Sequence, residues 1–129
     1  MVKVSVVGAT GYAGEELMRL LLRHRQVNIV HGVSKSFAGK RMSEIYPSIM
    51  PHDIVLEDMD AEKIAADSDI VFLCLPHGAS AEAVPGLLAG SCRVVDLSAD
   101  FRYNDAAVYE AWYHVPHIAK ALLEQSVYG

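Results

Sequence analysis

Residues 2–14 read VKVSVVGATGYAG: a valine-rich run, then three glycines spaced three apart at Gly8, Gly11 and Gly14. The first run is short, β-branched and bounded by glycine, which predicts a strand over 2–7. The run that follows, EELMRLLLRHRQ (15–26), puts Leu17, Leu20, Leu21 and His24 on one helical stripe. Glu15 and Glu16 in its first turn, and Arg23 and Arg25 near its last, suit the helix dipole. Glycine inside an element costs roughly 0.5–1 kcal/mol relative to alanine, so three at one strand-to-helix corner need a compensating gain. Gly8 allows a tight turn, Gly11 lets backbone N–H groups approach an anion, and Gly14 lets the helix pack close to the strand. The G-x-x-G-x-x-G spacing is a variant of the G-x-G-x-x-G dinucleotide motif, and it sits in the strand–turn–helix context which that motif requires. The free amides of a helix starting near Tyr12, with a hydroxyl from Thr10, predict a pyrophosphate site, against the plainer reading of turn glycines.

The rest of the chain alternates in the same way. Further strands are expected at 27–33 (VNIVHGV), 69–76 (DIVFLCLP) and 92–98 (CRVVDLS), with a short one at 53–57. Helices are expected at 61–67, 79–90, 104–113 and 118–125, with Pro85 kinking or restarting the third-last of them. Residues 34–41 (SKSFAGKR) read as a loop, and Pro47 and Pro51 break up the stretch after it. Strands separated by helices predict βαβ units, hence an α/β fold with a doubly wound, mostly parallel, Rossmann-like sheet. The 129 residues suit one domain, spanning 1–129.

No apolar run approaches the ~20 residues that span a bilayer, and the start lacks the pattern of a signal peptide. The two cysteines, Cys74 and Cys92, sit in or beside apolar runs, so reduced thiols in a cytoplasmic protein are expected. A net charge of −5 argues against a general nucleic-acid binder. The charge is uneven, however. Residues 1–43 carry seven Lys/Arg and two acids, while residues 44–129 carry four and fourteen. Such asymmetry points to an anion met near the N-terminal third, although Arg19, Arg23 and Arg25 equally fit a solvated helix face.

An NAD site usually offers an acid about 20 residues past the glycines to bond the ribose 2′-OH. Ser34, Lys35 and Ser36 stand there instead. A lysine flanked by serines attracts a 2′-phosphate, which predicts NADP, with Lys40 and Arg41 as further candidates; the bland alternative is a solvated basic loop. Two later strand ends should border the cofactor. In LPHGAS (75–80), Pro76 and Gly78 shape a turn, and His77 contacts cofactor or substrate or holds the loop. In DLSADFR (96–102), Asp96 and Asp100 are expected to bond their own turn. Arg102 there is a clamp for an anionic substrate or half of a structural ion pair. No metal site is expected, because Cys74, His77, His114 and His117 lack a convincing second pair of ligands. A thiol in an apolar strand has a raised pKa, which argues against Cys74 as a nucleophile. Tyr109, Trp112 and Tyr113 are expected to pack rather than bind.

Taken together, GATGYAGEEL, SKSFAGK, FLCLPHG, VVDLSADFR and YEAWY resemble the N-acetyl-γ-glutamyl-phosphate reductase family of arginine biosynthesis, along the whole chain. That family is similar in architecture to aspartate-semialdehyde dehydrogenase and phosphorylating glyceraldehyde-phosphate dehydrogenase. The resemblance implies NADPH-dependent reduction of a small-molecule acyl phosphate to an aldehyde through a cysteine thiolate. It implies pyrophosphate contacts at Gly8, Thr10, Gly11, Tyr12, Ala13 and Gly14, and adenosine contacts at Ser34, Lys35 and Ser36. Pro76, His77, Ser98 and Ala99 would line the nicotinamide side. Neither Cys74 nor Cys92 matches the family's catalytic position. The chain is therefore expected to be the cofactor-binding part only, incomplete without its C-terminal half and inactive alone, with no catalytic residue of its own and an apolar face that favours a homo-oligomer. A related dehydrogenase with another acyl-phosphate substrate, or a non-catalytic NADP-binding module, are the competing expectations.

Overall fold

The computed structural model describes residues 1–76, 78–98, 100–102, 105–113, 117 and 119–127. Among them, strands β1 (Val2–Val7), β2 (Val27–Val33), β3 (Ile70–Leu73) and β4 (Arg93–Asp96) form one sheet in the order β2-β1-β3-β4. Every pairing is parallel. The helices are α1 (Tyr12–Leu21), α2 (Met42–Ile45), α3 (Ala61–Asp67), α4 (Ala79–Leu88) and α5 (Ala106–Tyr113), with 3₁₀ turns at Pro47–Ile49 and Lys120–Gln125.

Side chains alternate across a strand, and here both faces are covered. Val7, Val71 and Leu73 join Ile64 and Ala65 of α3 and Val84 and Leu87 of α4 on one face. Val6 joins Met18 of α1 and Met42 of α2 on the other, with Phe72 packed beside them. That is why DIVFLCLP is apolar at every step rather than every second one. Each fully buried side chain of this size contributes roughly 1.5–3 kcal/mol relative to exposure. The chain leaves β1 toward β2 and later returns on the other side to β3, so the order reverses between β1 and β3. In a doubly wound sheet this reversal opens a crevice at the carboxyl ends of the strands.

Several boundaries differ from expectation, each for a local reason. Helix α1 occupies Tyr12–Leu21, starting at the glycine corner as expected but ending five residues short of 26. At its end Arg23 N–H turns to Leu20 O and His24 N–H to Leu21 O, which tightens the chain out of the helix. Its buried stripe is Gly14 and Met18 with Leu17 and Leu21 beside them, whereas Leu20 is 56% exposed. Residues 53–57 make only isolated bridges, Arg41 with Val55 and Val33 with Glu57. Strands β3 and β4 are shorter than 69–76 and 92–98. One helix runs through Pro85 without restarting; Val84 and Leu87, both buried, hold it together where the proline removes a bond to the preceding turn. The last expected helix is a 3₁₀ turn at Lys120–Gln125, and Asn104 lies outside the described residues. Tyr109 is buried as expected, but Trp112 is 71% exposed and does not pack.

A polar brace that local sequence reading does not reveal ties β2 to α3. His31 lies between Glu57 (Nδ1 to Oε2, 2.5 Å) and Asp67 (Nε2 to Oδ2, 2.8 Å), and Lys63 Nζ reaches Glu57 Oε1 at 2.9 Å. Lys63 first and His31 second hold the Glu57 carboxyl below its ordinary range.

Candidate functional site: a strand-to-helix corner

Gly8 turns the chain off β1 with φ +82°, a conformation that side chains rarely tolerate. A Cβ on it would lie 2.3 Å from the Cys74 carbonyl oxygen, so the turn after β1 presses against the end of β3. The amides of Gly8 and Ala9 both donate to Val33 O at 3.0 Å, which fastens the same turn to the end of β2. A Cβ on Gly14 would come within 2.0 Å of Gly8 O, so α1 can sit this close only over a glycine. Gly11 is different. It is the N-cap of α1 with φ −74°, and a Cβ there would meet nothing nearer than Gly8 O at 3.9 Å. Packing explains Gly8 and Gly14; it does not explain Gly11, whose missing side chain leaves open space outside the fold.

The first bond of the α1 ladder runs from Glu15 N to Gly11 O at 2.8 Å. The amides of Tyr12, Ala13 and Gly14 therefore precede the ladder, and no side chain caps this end. Tyr12 is 94% exposed and Ala13 is also exposed. The Thr10 carbonyl accepts the Tyr46 hydroxyl at 2.6 Å, which pins the corner to the segment after α2. This contact spans 36 residues and has no sequence signal.

The structure brings the expected site residues together along the carboxyl edge of the sheet. Thr10 Oγ1 and Ser34 Oγ lie 2.8 Å apart, so the glycine corner and the end of β2 share a hydroxyl pair. Ser34 is 3% exposed and also accepts the Phe37 amide at 3.2 Å. Lys35, Ser36 and Lys40 are exposed around it. Among the described residues no carboxylate pairs with Lys35, whereas Arg41 lies 3.6 Å from Asp53. Pro76 is exposed at the end of the β3 segment. Ser98 is half-buried, and both its amide and its hydroxyl donate to Asp96 at 2.9 Å. Asp96 is thus the turn-former expected from its sequence. Arg102 Nη1 donates to the Tyr113 hydroxyl at 3.0 Å and stands at the far end of this edge. His77 and Ala99 lie outside the described residues.

Asp100 departs from expectation. It is wholly buried and bonds a different element, with its carboxylate set into the N-terminus of α4. It accepts the Gly78 amide at 2.9 Å on both oxygens, the Ala81 amide at 2.8 Å and the Tyr109 hydroxyl at 2.7 Å. Burial first, and this carboxylate second, push the Tyr109 phenol pKa up, so it stays a donor. The two strand-to-helix corners thus differ: α4 holds an anion of its own, and α1 is open.

Neither thiol is activated. Burial, aided by Asp96, pushes the Cys74 thiol up to about 11, and burial raises Cys92 as well. Among the described residues no group of His, Cys, Asp and Glu is placed to hold a metal ion, and no helix is long and apolar enough to cross a membrane. A groove of ≈ 670 Å³ lies beside edge strand β4, with Leu88, Val94 and Leu122 on its apolar side and Asp96, Ser98 and Arg102 on its polar side. None of the glycine-corner residues lines it.

An open helix N-terminus after a parallel strand, at the point where strand order reverses, defines a dinucleotide-binding α/β domain. The chain belongs to the family described as semialdehyde dehydrogenase, NAD binding domain, whose model matches residues 3–126. A protein named N-acetyl-γ-glutamyl-phosphate reductase from Syntrophobacter fumaroxidans is 48% identical over 130 aligned positions, covering 100% of this chain and 38% of that protein. Among solved structures, a probable aspartate-semialdehyde dehydrogenase from Pseudomonas aeruginosa is 28% identical with TM-score 0.61, over 76% of this chain and 28% of that one. Aspartate-semialdehyde dehydrogenase with NADP from Candida albicans shares the fold, with TM-score 0.66 at 24% identity over 79% of this chain and 31% of that one. The chain thus spans well under half the length of the relatives it matches.

Proposed function

We propose that this chain is the NADPH-binding part, cytoplasmic, of an N-acetyl-γ-glutamyl-phosphate reductase, with the substrate domain lying outside residues 1–129. The observation that carries the reading is the α1 corner: three amides ahead of the first helical bond, beside a glycine that the fold itself does not require. The residues present fit a pyrophosphate there. Ser34, almost wholly buried, accepts the Phe37 amide and shares a hydrogen bond with the Thr10 hydroxyl, so it joins the pyrophosphate corner to the adenosine side from beneath. The exposed Lys35 and Ser36, with Lys40 behind them, read the adenosine 2′-phosphate in place of the acid an NAD site would use. Pro76, Ser98 and, by resemblance, His77 and Ala99 line the opposite half, and Arg102 steadies an anionic substrate. The bound cofactor supplies hydride to an acyl carbon. This chain's residues hold and orient it, and both thiols, kept protonated by burial, take no part as nucleophiles.

Calorimetric titration of the chain with NADPH and NADH tests the reading: NADPH is expected to bind at least about tenfold more tightly, the effect of one charge-assisted hydrogen bond. Equal affinities, or no binding, would contradict it. A second test separates the fold from the site. Gly11→Ala has room, so its thermal midpoint should change little, since Gly and Ala at an N-cap differ by only about 0.5–1 kcal/mol. The added methyl group stands where the phosphates approach, so NADPH affinity should fall by about tenfold or more. Unchanged affinity in a folded Gly11→Ala protein would remove the pyrophosphate from this corner.

A further inference from the structure

A dinucleotide held at the α1 corner with its adenosine end over β2 has one direction left. Strand order is β2-β1-β3-β4, and neighbouring strands lie about 4.8 Å apart. The other half of the ligand must cross β1 and reach the carboxyl ends of β3 and β4. The surface it meets is the turn from β3 into α4, which packs against the Gly8 turn closely enough to exclude a Cβ. What holds that turn is Asp100.

We infer that Asp100 is a positioning residue for the nicotinamide half of the cofactor, an inference that rests on the dinucleotide reading above. Its carboxylate fixes the amides of Gly78 and Ala81 at the start of α4, and Gly78 is locked at φ +83°. Tyr109 of α5 fixes the carboxylate in turn. His117 completes the unit. Its Nδ1 accepts the Ala119 amide at 3.1 Å and its Nε2 donates to the Asp100 carbonyl. Tyr109 and His117 also stack edge to face, with centroids 4.8 Å apart. The same carboxylate has a second consequence. It occupies the α4 N-terminus with the protein's own carboxylate, so the ligand's pyrophosphate is met by the open α1 corner rather than by α4. The ligand is thereby registered in one direction along the edge of the sheet. Asp100 is 0% exposed and cannot touch the ligand itself.

The test uses two ligands that differ only in the nicotinamide half, NADPH and 2′-phospho-ADP-ribose, titrated into this chain and its variants. In the wild-type chain NADPH is expected to bind more tightly than the fragment. In Asp100→Asn, NADPH affinity should drop by about tenfold, to that of the fragment, while fragment affinity stays within about twofold. Tyr109→Phe removes a single donor and should show the same one-sided loss, about threefold, which keeps the inference testable if Asp100→Asn does not fold. Equal loss for both ligands, which loosening of the whole domain would give, overturns the inference. No loss for either, or wild-type affinities that are equal for the two ligands, overturns it as well. Failure of the wild-type chain to bind either ligand would instead sink the dinucleotide reading itself.

Discussion

Gly14→Ala should destabilise the domain by about 3 kcal/mol or more, although alanine is the better helix former by about 1 kcal/mol. The new Cβ would stand 2.0 Å from Gly8 O and 2.9 Å from two backbone atoms of Ala9. Helix α1 cannot slide away, because Met18 on the same face is wholly buried against the sheet. The turn cannot retreat either. Gly8 already abuts Cys74 O, and the Gly8 and Ala9 amides are tied to Val33. Helix, turn and strand end are stacked with no slack, so the collision falls on the backbone. A loss of this size is a large share of the 5–15 kcal/mol typical of a domain. It should lower the thermal midpoint by roughly 10 °C or leave the chain unfolded. A Gly14→Ala protein within about 1 kcal/mol of wild type would show that the helix does not pack as described.

The second large effect is on recognition. Lys35→Glu should weaken NADPH binding by about 100-fold, because it removes a charge-assisted contact worth about 1.5–3 kcal/mol and sets a carboxylate against the 2′-phosphate. NADH, which lacks that phosphate, should lose less than about threefold. The substitution sits on an exposed turn that no described carboxylate restrains, so stability should hardly change. The ratio of the two affinities, measured by calorimetry, isolates the 2′-phosphate from everything else. Equal weakening of both would mean that Lys35 acts only through general charge.

How much of this could be read from the chain depended on range. Strands β1 and β2 and helix α3 fall on the residues expected of them, because glycine, serine or aspartate marks their limits. The roles of Gly8 and Gly14 were legible for the same reason: a strand, three glycines and an amphipathic run stand next to each other. The end of α1 was less so: the apolar and basic run reads on to residue 26, while the chain tightens out of the helix after Leu21. Asp96 and Asp100 make the sharpest contrast. Asp96 bonds two residues ahead, as its local sequence suggests. Asp100 instead bonds residues 22, 19 and 9 positions away, and only the folded sheet brings them together. Thr10 and Ser34 were assigned separately, to the pyrophosphate and to the adenosine end of a ligand, and their direct contact emerged only with the β1–β2 register. Trp112 looked like core by type, yet stands exposed on α5.

Main-chain amides ahead of the α1 hydrogen-bond ladder are the proposed seat of the diphosphate. Titrating the ¹⁵N-labelled chain with NADPH and following each amide by NMR tests it directly. Saturable shifts are expected at the amides of Gly11, Tyr12, Ala13 and Gly14, joined by Lys35, Ser36 and, where the cofactor meets the β4 groove, Ser98, while Lys3 and Asp69 at the amino edge of the sheet stay unmoved. Shifts centred on that groove, with the amides of Gly11 to Gly14 silent, would contradict it.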